Sequence, residues 1–405
     1  MDKEEFVCAD CIDDEGLKDF IEGEATECTC SFCGAEAEDD EPIAAPIEKV
    51  VDYINDCLYA EYDDAANCLP YDSGEGGYLG VTWNTWELLS DEVELSLPND
   101  DDGSLFDAIC SAVDDNAWCE RNPFSLNNVQ EAKFSWELFS RVVKHQRRFF
   151  FLDSTDEYDE VLSPKELLET ILDHARKVCM LVSHESGELK VYRARHQAPG
   201  VQHTSPEALG PPPVEKAKQS NRMSPAGIVM CYASDSTETA LRETALINGP
   251  GTYAIGAFTT TRATVILDLA DLPSIPSLFE EVSDTLEYHP RKVLQFLHAV
   301  ARELSQPVPR DGREHIDYVP TQVITEFVRS QVERIDGIRY SSAVDDDASL
   351  VLFADQSNLV PLAGATAAEQ WLQLADREER QVSQADIDGW KPASFDDLNA
   401  EVTVP

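Results

Sequence analysis

With 405 residues the chain is longer than one ordinary hydrophobic core supports, so we expect two or three domains. The formal net charge is −47, and the first 120 residues hold 35 Asp and Glu against three Lys, a surface that repels duplex DNA and anionic lipid. The sequence has no apolar run that could span a bilayer and no signal-peptide pattern, so we expect a cytoplasmic protein that binds neither membranes nor nucleic acid.

Five of the eleven cysteines lie close to the N-terminus, in the motifs CADC and CTCSFC. Two Cys-x-x-Cys pairs separated by 18 residues have the spacing of a zinc ribbon, and a reducing cytoplasm disfavours disulfides. We therefore predict a structural zinc site within residues 1–40, because a closed four-thiolate site leaves no open position for a substrate. The predicted ligands are Cys8, Cys11, Cys30 and Cys33, with Cys28 as the alternative to Cys30.

Residues 41–186 are predicted to form a mainly helical domain. Apolar side chains recur there with the period of a helix that buries one face. Ser163 and Glu166 are predicted to make a capping box, with Pro164 at the first helical position. The main helical segments are IEKVVDYINDCLYAEYDDAANCL, TWNTWELL, SLFDAICSAVDDNAWC, NNVQEAKFSWELFSRVVKHQRRFFF and SPKELLETILDHARKVCMLVSH.

Residues 187–362 are predicted to form an α+β domain with a small mixed sheet. Its strand segments are GELKVYRAR, IVMCYAS, GTYAIGAFTTTR, TVILDLA, IDGIRYSS and SLVLFAD, and its helical segments are TETALRETALI, SLFEEVSDTLEYHPRKVLQFLHAVARELS and VPTQVITEFVRSQV. The proline-rich loop HQAPGVQHTSPEALGPPPVEKAKQS is predicted to be mobile or to lie over a site. Residues 363–405 are predicted to hold a helix around Trp371 and an acidic tail.

Several catalytic signatures are missing from the sequence. It has no G-x-G-x-x-G after a strand, no Walker loop, no H-E-x-x-H and no G-x-S-x-G. Zinc catalysis, P-loop phosphoryl transfer and α/β-hydrolase chemistry therefore lose support. The remaining candidates are polar residues at the edges of elements in the second half of the chain.

Arginines are the first of these candidates. Strand alternation places Arg193 and Arg195 on one face of KVYRAR, which is either a solvated edge or one wall of a phosphate-binding cleft. In the turn NRMSPAG, Arg222 and Ser224 can offer hydrogen-bond donors. Tyr232 lies on the strand that follows.

A carboxylate and a serine complete the candidate set. Ala240, Thr244 and Ile247 are predicted to point to the core, which places Glu243 roughly 60° away from that seam. Glu243 can therefore face a cleft or be a plain surface residue. Ser342 lies at the end of a predicted strand and has no neighbouring histidine in the sequence, so a hydrogen-bonding role is favoured over a nucleophilic one.

The segments VYRAR, RMSPAGIVMCYASDSTETALRE, YVPTQVITE and DGIRYSSA, in this order, closely resemble the RES domain. Residues 1–155 look like the N-terminal domain of the HEPN/RES type. The resemblance implies a fold similar to ADP-ribosyltransferases and a toxin that consumes NAD as its substrate, paired with an antitoxin. The implied reaction breaks the bond between nicotinamide and ribose, with phosphate, water or a protein side chain as acceptor.

The resemblance also assigns site residues. It implies that Arg193, Glu243 and Ser342 are the catalytic arginine, glutamate and serine, and that Arg222 and Tyr232 are the second arginine and the strand tyrosine. In this scheme the arginines hold phosphate groups as forked donors, and the glutamate stabilises the positive charge that develops on the ribose.

Three functions remain open at this point. The first is an NAD glycohydrolase or phosphorylase that acts as a growth-arrest or defence effector. The second is a protein ADP-ribosyltransferase, and the third is a non-enzymatic, zinc-stabilised interaction module. The partners expected for the chain are NAD, an antitoxin or other regulatory protein, and a second copy of the chain.

Overall fold

The computed structural model of the chain describes residues 4–37, 41–74, 76–152, 161–282, 286–308, 311–342, 344–345, 347–363 and 366–390. None of the helices in these ranges is both long and apolar enough to cross a bilayer. The chain forms two compact units, which we call the N-terminal unit and the C-terminal unit. The N-terminal unit extends to Asn127 and includes Ile275–Lys292; the C-terminal unit comprises Asn128–Ser274 and Val293–Glu401.

The N-terminal unit combines short strands with helices around its own core. Val50, Ile54 and Leu58 are fully buried on one face of the second helix, which confirms the predicted helical period. The strands pair in antiparallel twos, as β1 with β2, β3 with β6, and β4 with β5. The helices are α1 (Glu15–Glu24), α2 (Ile47–Glu61), α3 (Ala65–Cys68), α4 (Thr85–Glu87) and α5 (Ser104–Ala112). The strands are β1 (Phe6–Cys8), β2 (Ala44–Pro46), β3 (Tyr62–Asp64), β4 (Tyr71–Asp72), β5 (Gly77–Tyr78) and β6 (Trp118–Glu120).

The C-terminal unit holds the longer helices and the main sheet. Its helices are α6 (Asn128–His145), α7 (Pro164–Lys177), α8 (Pro206–Leu209), α9 (Thr237–Asn248), α10 (Pro290–Ser305, of which this unit holds the part from Val293), α11 (Glu314–Asp317), α12 (Val319–Arg329) and α13 (Gln384–Gly389). Its strands are β7 (Leu181–His184), β8 (Lys190–Gln197), β9 (Cys231–Ser234), β10 (Gly251–Thr260), β11 (Thr264–Asp268), β12 (Gly337–Ser341), β13 (Ala348–Leu352) and β14 (Leu372–Val382). The capping box predicted for α7 is confirmed, since Ser163 and Glu166 cap each other's backbone N–H groups.

The strands of the C-terminal unit form one mixed sheet in the order β14-β10-β8-β9-β13-β12-β11-β7. Its pairs are antiparallel except for β11 and β12, which run parallel. One core lies against α6, α7, α10 and α12, and a smaller one lies between α9 and the strands β8 and β10. The sheet is therefore a rigid support with apolar packing on more than one side.

The sheet is loosely paired at its centre. Strand β8 pairs with β10 along its whole length, from Lys190 to Gln197. On its other side, within the described residues, β8 pairs with β9 only at Tyr192 and Ser234. Beyond this pair the two strands share no ladder, and the polar side chains of β8 meet a cavity there rather than a neighbouring strand.

The sequence underestimates the extent of the sheet. It predicts a small sheet, whereas eight described strands take part. The helix predicted around Trp371 is wrong: Leu372–Val382 forms the edge strand β14, paired with β10, and a helix follows only at α13. The error has a physical cause, because β14 is charged on both of its faces and so lacks the alternation that indicates a half-buried strand. The acidic tail lies outside the described residues.

Three further expectations differ from the structure. The helix predicted from SLFEEVSDTLEYHP onward begins only at Pro290, the first residue of α10. Ile247, expected in the core, is 56% exposed. Helices α6 and α7 belong to the C-terminal unit, although the sequence analysis places them in the helical domain. Compact units and family domains need not coincide, so the boundaries at residues 40, 186 and 362 stay predictions.

Candidate active site

Two arginines of β8 face the region where β8 and β9 separate. Arg193 Nη1 donates to the carbonyl of Tyr232 at 2.6 Å, and Arg195 Nη2 donates to the carbonyl of Gly210 at 2.8 Å. The Nε groups of both arginines are buried and have no hydrogen-bond partner among the described residues. The charge of Arg193, followed by burial, lowers the pKa of Arg195 to about 9. A buried, unpaired donor costs free energy, so an anion that accepted from these Nε groups would be stabilised here.

The arginines line a cavity of about 650 Å³, which we call the first cavity. Its walls include Tyr232 and Ser234 of β9 and Glu243 of α9. The hydroxyl of Ser234 is also buried without a partner in the described part of the chain. Residues of the proline-rich loop, including Pro212 and Lys216, complete the wall of this cavity. This volume suits a ligand larger than a single phosphate.

Glu243 is the carboxylate at the edge of this cavity. Helix α9 presents it because Ser236 caps the N-terminus of the helix, accepting from Thr239 N, and Gly249 ends it at a φ of 82°. Ser349 Oγ donates to Glu243 Oε1 at 2.5 Å, and Ser342 Oγ donates to the same oxygen at 3.2 Å. Burial raises the pKa of Glu243, while the two serine hydroxyls oppose that rise.

Tyr232 lies between the first cavity and a neighbouring one. Its hydroxyl bonds to Ser224 Oγ at 2.9 Å and accepts from Met223 N at 3.0 Å. Burial raises the pKa of Tyr232 to about 12, so the phenol stays protonated near neutral pH. The hydroxyl is thus engaged in holding the turn, and the side chain remains part of both cavity walls.

Arg222 is not among the residues that line the two cavities. Its Nη1 donates to the carbonyls of Leu304 and Gln306 at 2.7 and 2.8 Å, at the C-terminal end of α10. The guanidinium also lies 5.9 Å from the ring centroid of Tyr340. A cation at a helix C-terminus satisfies carbonyls that lack an intrahelical partner. These contacts tie the turn at residues 221–227 to the helices behind it, and Thr321 Oγ1 adds a bond to the carbonyl of Arg222.

The structure therefore brings together part of the predicted set. Arg193, Tyr232 and Glu243 line the first cavity, and Ser342 contacts Glu243. Ser224 lines the neighbouring cavity, and Arg222 lines neither.

Strand alternation already places Arg195 on the same face as Arg193, and the cavity confirms that both line one wall. Sequence reasoning missed two contributors. Ser349 and Ser234 face each other across β13 and β9, a register that no local pattern reveals.

The N-terminal cysteines form a second candidate site. The ligand atoms of Cys8, Cys11, Cys30 and Cys33 all lie within 4.8 Å of one another. The Sγ atoms of Cys8 and Cys11 are 3.7 Å apart, those of Cys8 and Cys33 are 3.5 Å apart, and those of Cys11 and Cys30 are 3.7 Å apart. A tetrahedral Zn–S distance of about 2.3 Å gives an S–S edge of roughly 3.8 Å. The cluster is therefore compatible with a zinc site, and Cys28 is not part of it.

Burial of the cysteines changes how readily their thiols ionise. It raises the pKa of the Cys8 thiol to about 12 and raises that of Cys11 as well. The thiolates of Cys8 and Cys11 therefore need a nearby cation to stay charged near neutral pH, which a divalent metal supplies.

Comparison with known families covers most of the chain. The family model described as HEPN/RES N-terminal domain 1 matches residues 23–157, and the model described as RES domain matches residues 190–374. No curated protein and no solved structure matches the chain significantly. RES domains are associated with NAD-related toxin–antitoxin systems. The cavity arginines, Tyr232, Glu243 and the two serines all fall within the matched RES residues, and the chain is a RES domain protein with a HEPN/RES-type N-terminal domain.

Proposed function

We propose that the chain cleaves the nicotinamide–ribose bond of NAD, with phosphate or water as acceptor, and acts through this reaction as a growth-arrest or defence effector on the cytoplasmic NAD pool. The observation that carries the proposal is Glu243, a carboxylate held by two serine hydroxyls beside a cavity with two arginines whose Nε groups have no partner among the described residues. The RES match supports an NAD-utilising role. The proposal also includes an ADP-ribosyltransferase-like fold and an antitoxin partner, which the RES match supports.

The arginines would bind the pyrophosphate of NAD. Each has one buried Nε–H that is unpaired among the described residues, and a pyrophosphate offers several oxygens at suitable spacing. Arg193 and Arg195 also repel each other, and a bound dianion removes that repulsion. Binding energy from this part of the substrate positions the ribose for reaction.

Glu243 would act on the ribose. When the C–N bond breaks, the electron pair stays on the ring nitrogen and nicotinamide leaves as a neutral molecule. The ribose carbon then carries positive charge, and an adjacent fixed carboxylate lowers the energy of that state. Ser342 and Ser349 hold Oε1 in place, so little reorganisation is needed during the reaction. When water is the acceptor, its oxygen bonds to the ribose carbon and one proton passes to the solvent; a phosphate dianion bonds through an unprotonated oxygen and releases no proton.

The proline-rich loop would control which acceptor reaches the ribose. Pro212, Pro213 and Lys216 of this loop line the first cavity, and Arg195 is bonded to the carbonyl of Gly210. A loop fixed over the site reduces access of bulk water to the cation-like ribose.

The acidic limb of the pH–rate profile tests the role of Glu243. Because burial raises its pKa, the carboxylate is protonated at a higher pH than an ordinary glutamate, and activity falls below that pH. Ser349 donates to the ionised form and so lowers the pKa; Ser349→Ala is expected to move the acidic limb of kcat/KM to higher pH. Ser330→Ala, at an exposed position after α12, serves as the control. An acidic limb that coincides in Ser349→Ala and the unsubstituted protein would argue against Glu243 as the ionised group.

Product analysis identifies the acceptor. The purified chain is incubated with NAD labelled in its adenosine half, with and without inorganic phosphate, and the products are separated. Free ADP-ribose indicates water as acceptor, and a phosphorylated ADP-ribose that requires added phosphate indicates phosphorolysis. Label recovered on protein would favour the ADP-ribosyltransferase function instead, and label that remains in NAD under every condition would contradict the proposal.

A further inference from the structure

A second cavity of about 540 Å³ adjoins the first and shares Arg193, Arg195, Lys216 and Tyr232 with it. Lys218 lines the second cavity only. Four cationic side chains therefore border this space, and no Asp or Glu is among its described lining residues. In a chain with a formal net charge of −47, such a concentration of positive charge marks an anion-binding surface.

Lys216 and Lys218 are exposed, and neither forms an ion pair with a carboxylate of the described residues. Across the described ranges, no carboxylate oxygen lies within 4.0 Å of the Nζ atom of Lys216 or Lys218. Many other cations of the C-terminal unit have such a partner, for example Arg262 with Asp336 and Arg339 with Asp235. The positive charge at the second cavity thus remains available to a ligand.

Backbone contacts fix the position of these lysines. Lys216 N donates to the carbonyl of Pro213 at 2.9 Å, and Lys218 N donates to the carbonyl of Lys216 at 2.9 Å. Gly227 N donates to the carbonyl of Ala217 at 2.7 Å, which ties the loop to the turn below. Gly227 adopts a φ of 90°, which side chains disfavour, so this turn depends on glycine. The cations are thereby held on a defined segment.

Four cations exceed what one pyrophosphate requires. A dinucleotide pyrophosphate carries two negative charges, which Arg193 and Arg195 can match from the first cavity. The positive charges of Lys216 and Lys218 then remain available to a second anionic group. Ser224 and Asn221 add polar side chains to the same wall. We propose that the second cavity is a subsite for a phosphate dianion, bound by Lys216 and Lys218 beside Arg195, which lines both cavities. This inference depends on the proposed function in one respect only, namely that a dinucleotide pyrophosphate occupies the first cavity.

The dianion could come from two sources with the same chemistry. One is the ribose 2′-phosphate of NADP, in which case the substrate is the phosphorylated dinucleotide. The other is free inorganic phosphate, which would then lie next to the substrate.

The test uses the full chain with Glu243→Gln, so that a bound dinucleotide is not consumed. Calorimetric titrations with inorganic phosphate, NAD and NADP give three dissociation constants, which are measured again after adding Lys218→Ala. Lys165→Ala is the control, because Lys165 is an exposed lysine of α7 that lines neither cavity. Lys218 is exposed, so its substitution should leave the fold intact.

We expect Lys218→Ala to raise the dissociation constant of inorganic phosphate about fivefold, and Lys165→Ala to leave it unchanged. A preference for NADP over NAD that shrinks about fivefold with Lys218→Ala identifies the 2′-phosphate as the occupant. Equal affinities for NAD and NADP, combined with Lys218-dependent phosphate binding, identify the free ion. Phosphate and NADP affinities that do not respond to Lys218→Ala overturn the subsite. Lys218-dependent phosphate binding without any NAD binding would preserve the subsite and reject the proposed function.

Discussion

Glu243→Gln is expected to lower the rate of nicotinamide release from NAD by about 10³-fold while the protein stays folded. The substitution keeps the size of the side chain and an oxygen that Ser342 and Ser349 can still bond, but it removes the negative charge. Because that charge would stabilise the cation-like ribose only in the transition state, kcat should fall far more than substrate affinity. The measurement is steady-state kinetics of nicotinamide release.

Glu238→Gln is the matched control for this prediction. Glu238 lies on the same helix, but its side chain is 41% exposed and pairs with Arg242 and Arg380 at the surface. Exposed pairs contribute little to stability, so this variant should keep its activity. Comparable losses of activity in Glu243→Gln and Glu238→Gln would show that activity responds to any loss of charge on α9. That result would contradict a role for Glu243 in the chemical step.

Cys11→Ser is expected to remove the bound metal from the N-terminal unit and to lower the free energy of unfolding of that unit. Cys11 is fully buried in the core of this unit, and structural zinc contributes on the order of 10 kcal/mol in zinc-finger peptides. Even a loss of about 4 kcal/mol lowers the midpoint of thermal unfolding by roughly 10 °C in a unit of this size. Mass spectrometry of the native protein reports the metal, and calorimetry reports the unfolding transition.

Cys28→Ser separates the metal site from a general sensitivity to cysteine loss. Cys28 is half-buried and lies outside the cluster, and its described contact is made by its backbone carbonyl, which accepts from Ala37 N at 2.8 Å. This variant should therefore retain one metal ion and nearly the full unfolding temperature. Equal metal loss from Cys28→Ser and Cys11→Ser would contradict the four-cysteine assignment, and a metal-free unsubstituted protein of normal stability would contradict a structural metal altogether.

Local patterns predicted the elements of the C-terminal unit well where they carried a clear signal. The apolar strands β9, β10 and β13 and the capped helix α7 were all predicted. Strand β14 was not, because its stability comes from ten residues of β10 that pair with it rather than from its own composition. Edge strands with mostly charged side chains show little of the alternation between apolar and polar residues from which strands are predicted.

The candidate site shows the same division between local and long-range information. Arg193, Glu243 and Ser342 were identified by resemblance, and helix geometry placed Glu243 at a boundary where it can face a cleft. The hydroxyl of Ser349 was not identified as its partner, because residues 243 and 349 meet only through the order of strands in the sheet. The apparent donor Arg222 likewise turned out to hold the end of α10, a contact that its own turn sequence does not indicate.

The most direct test of the account is nicotinamide release by the purified full-length chain incubated with NAD near neutral pH, compared with its Glu243→Gln variant. The account predicts rapid release by the unsubstituted protein and about 10³-fold slower release by the variant. NAD that stays intact with the folded, metal-bearing protein, both with and without phosphate, would contradict it.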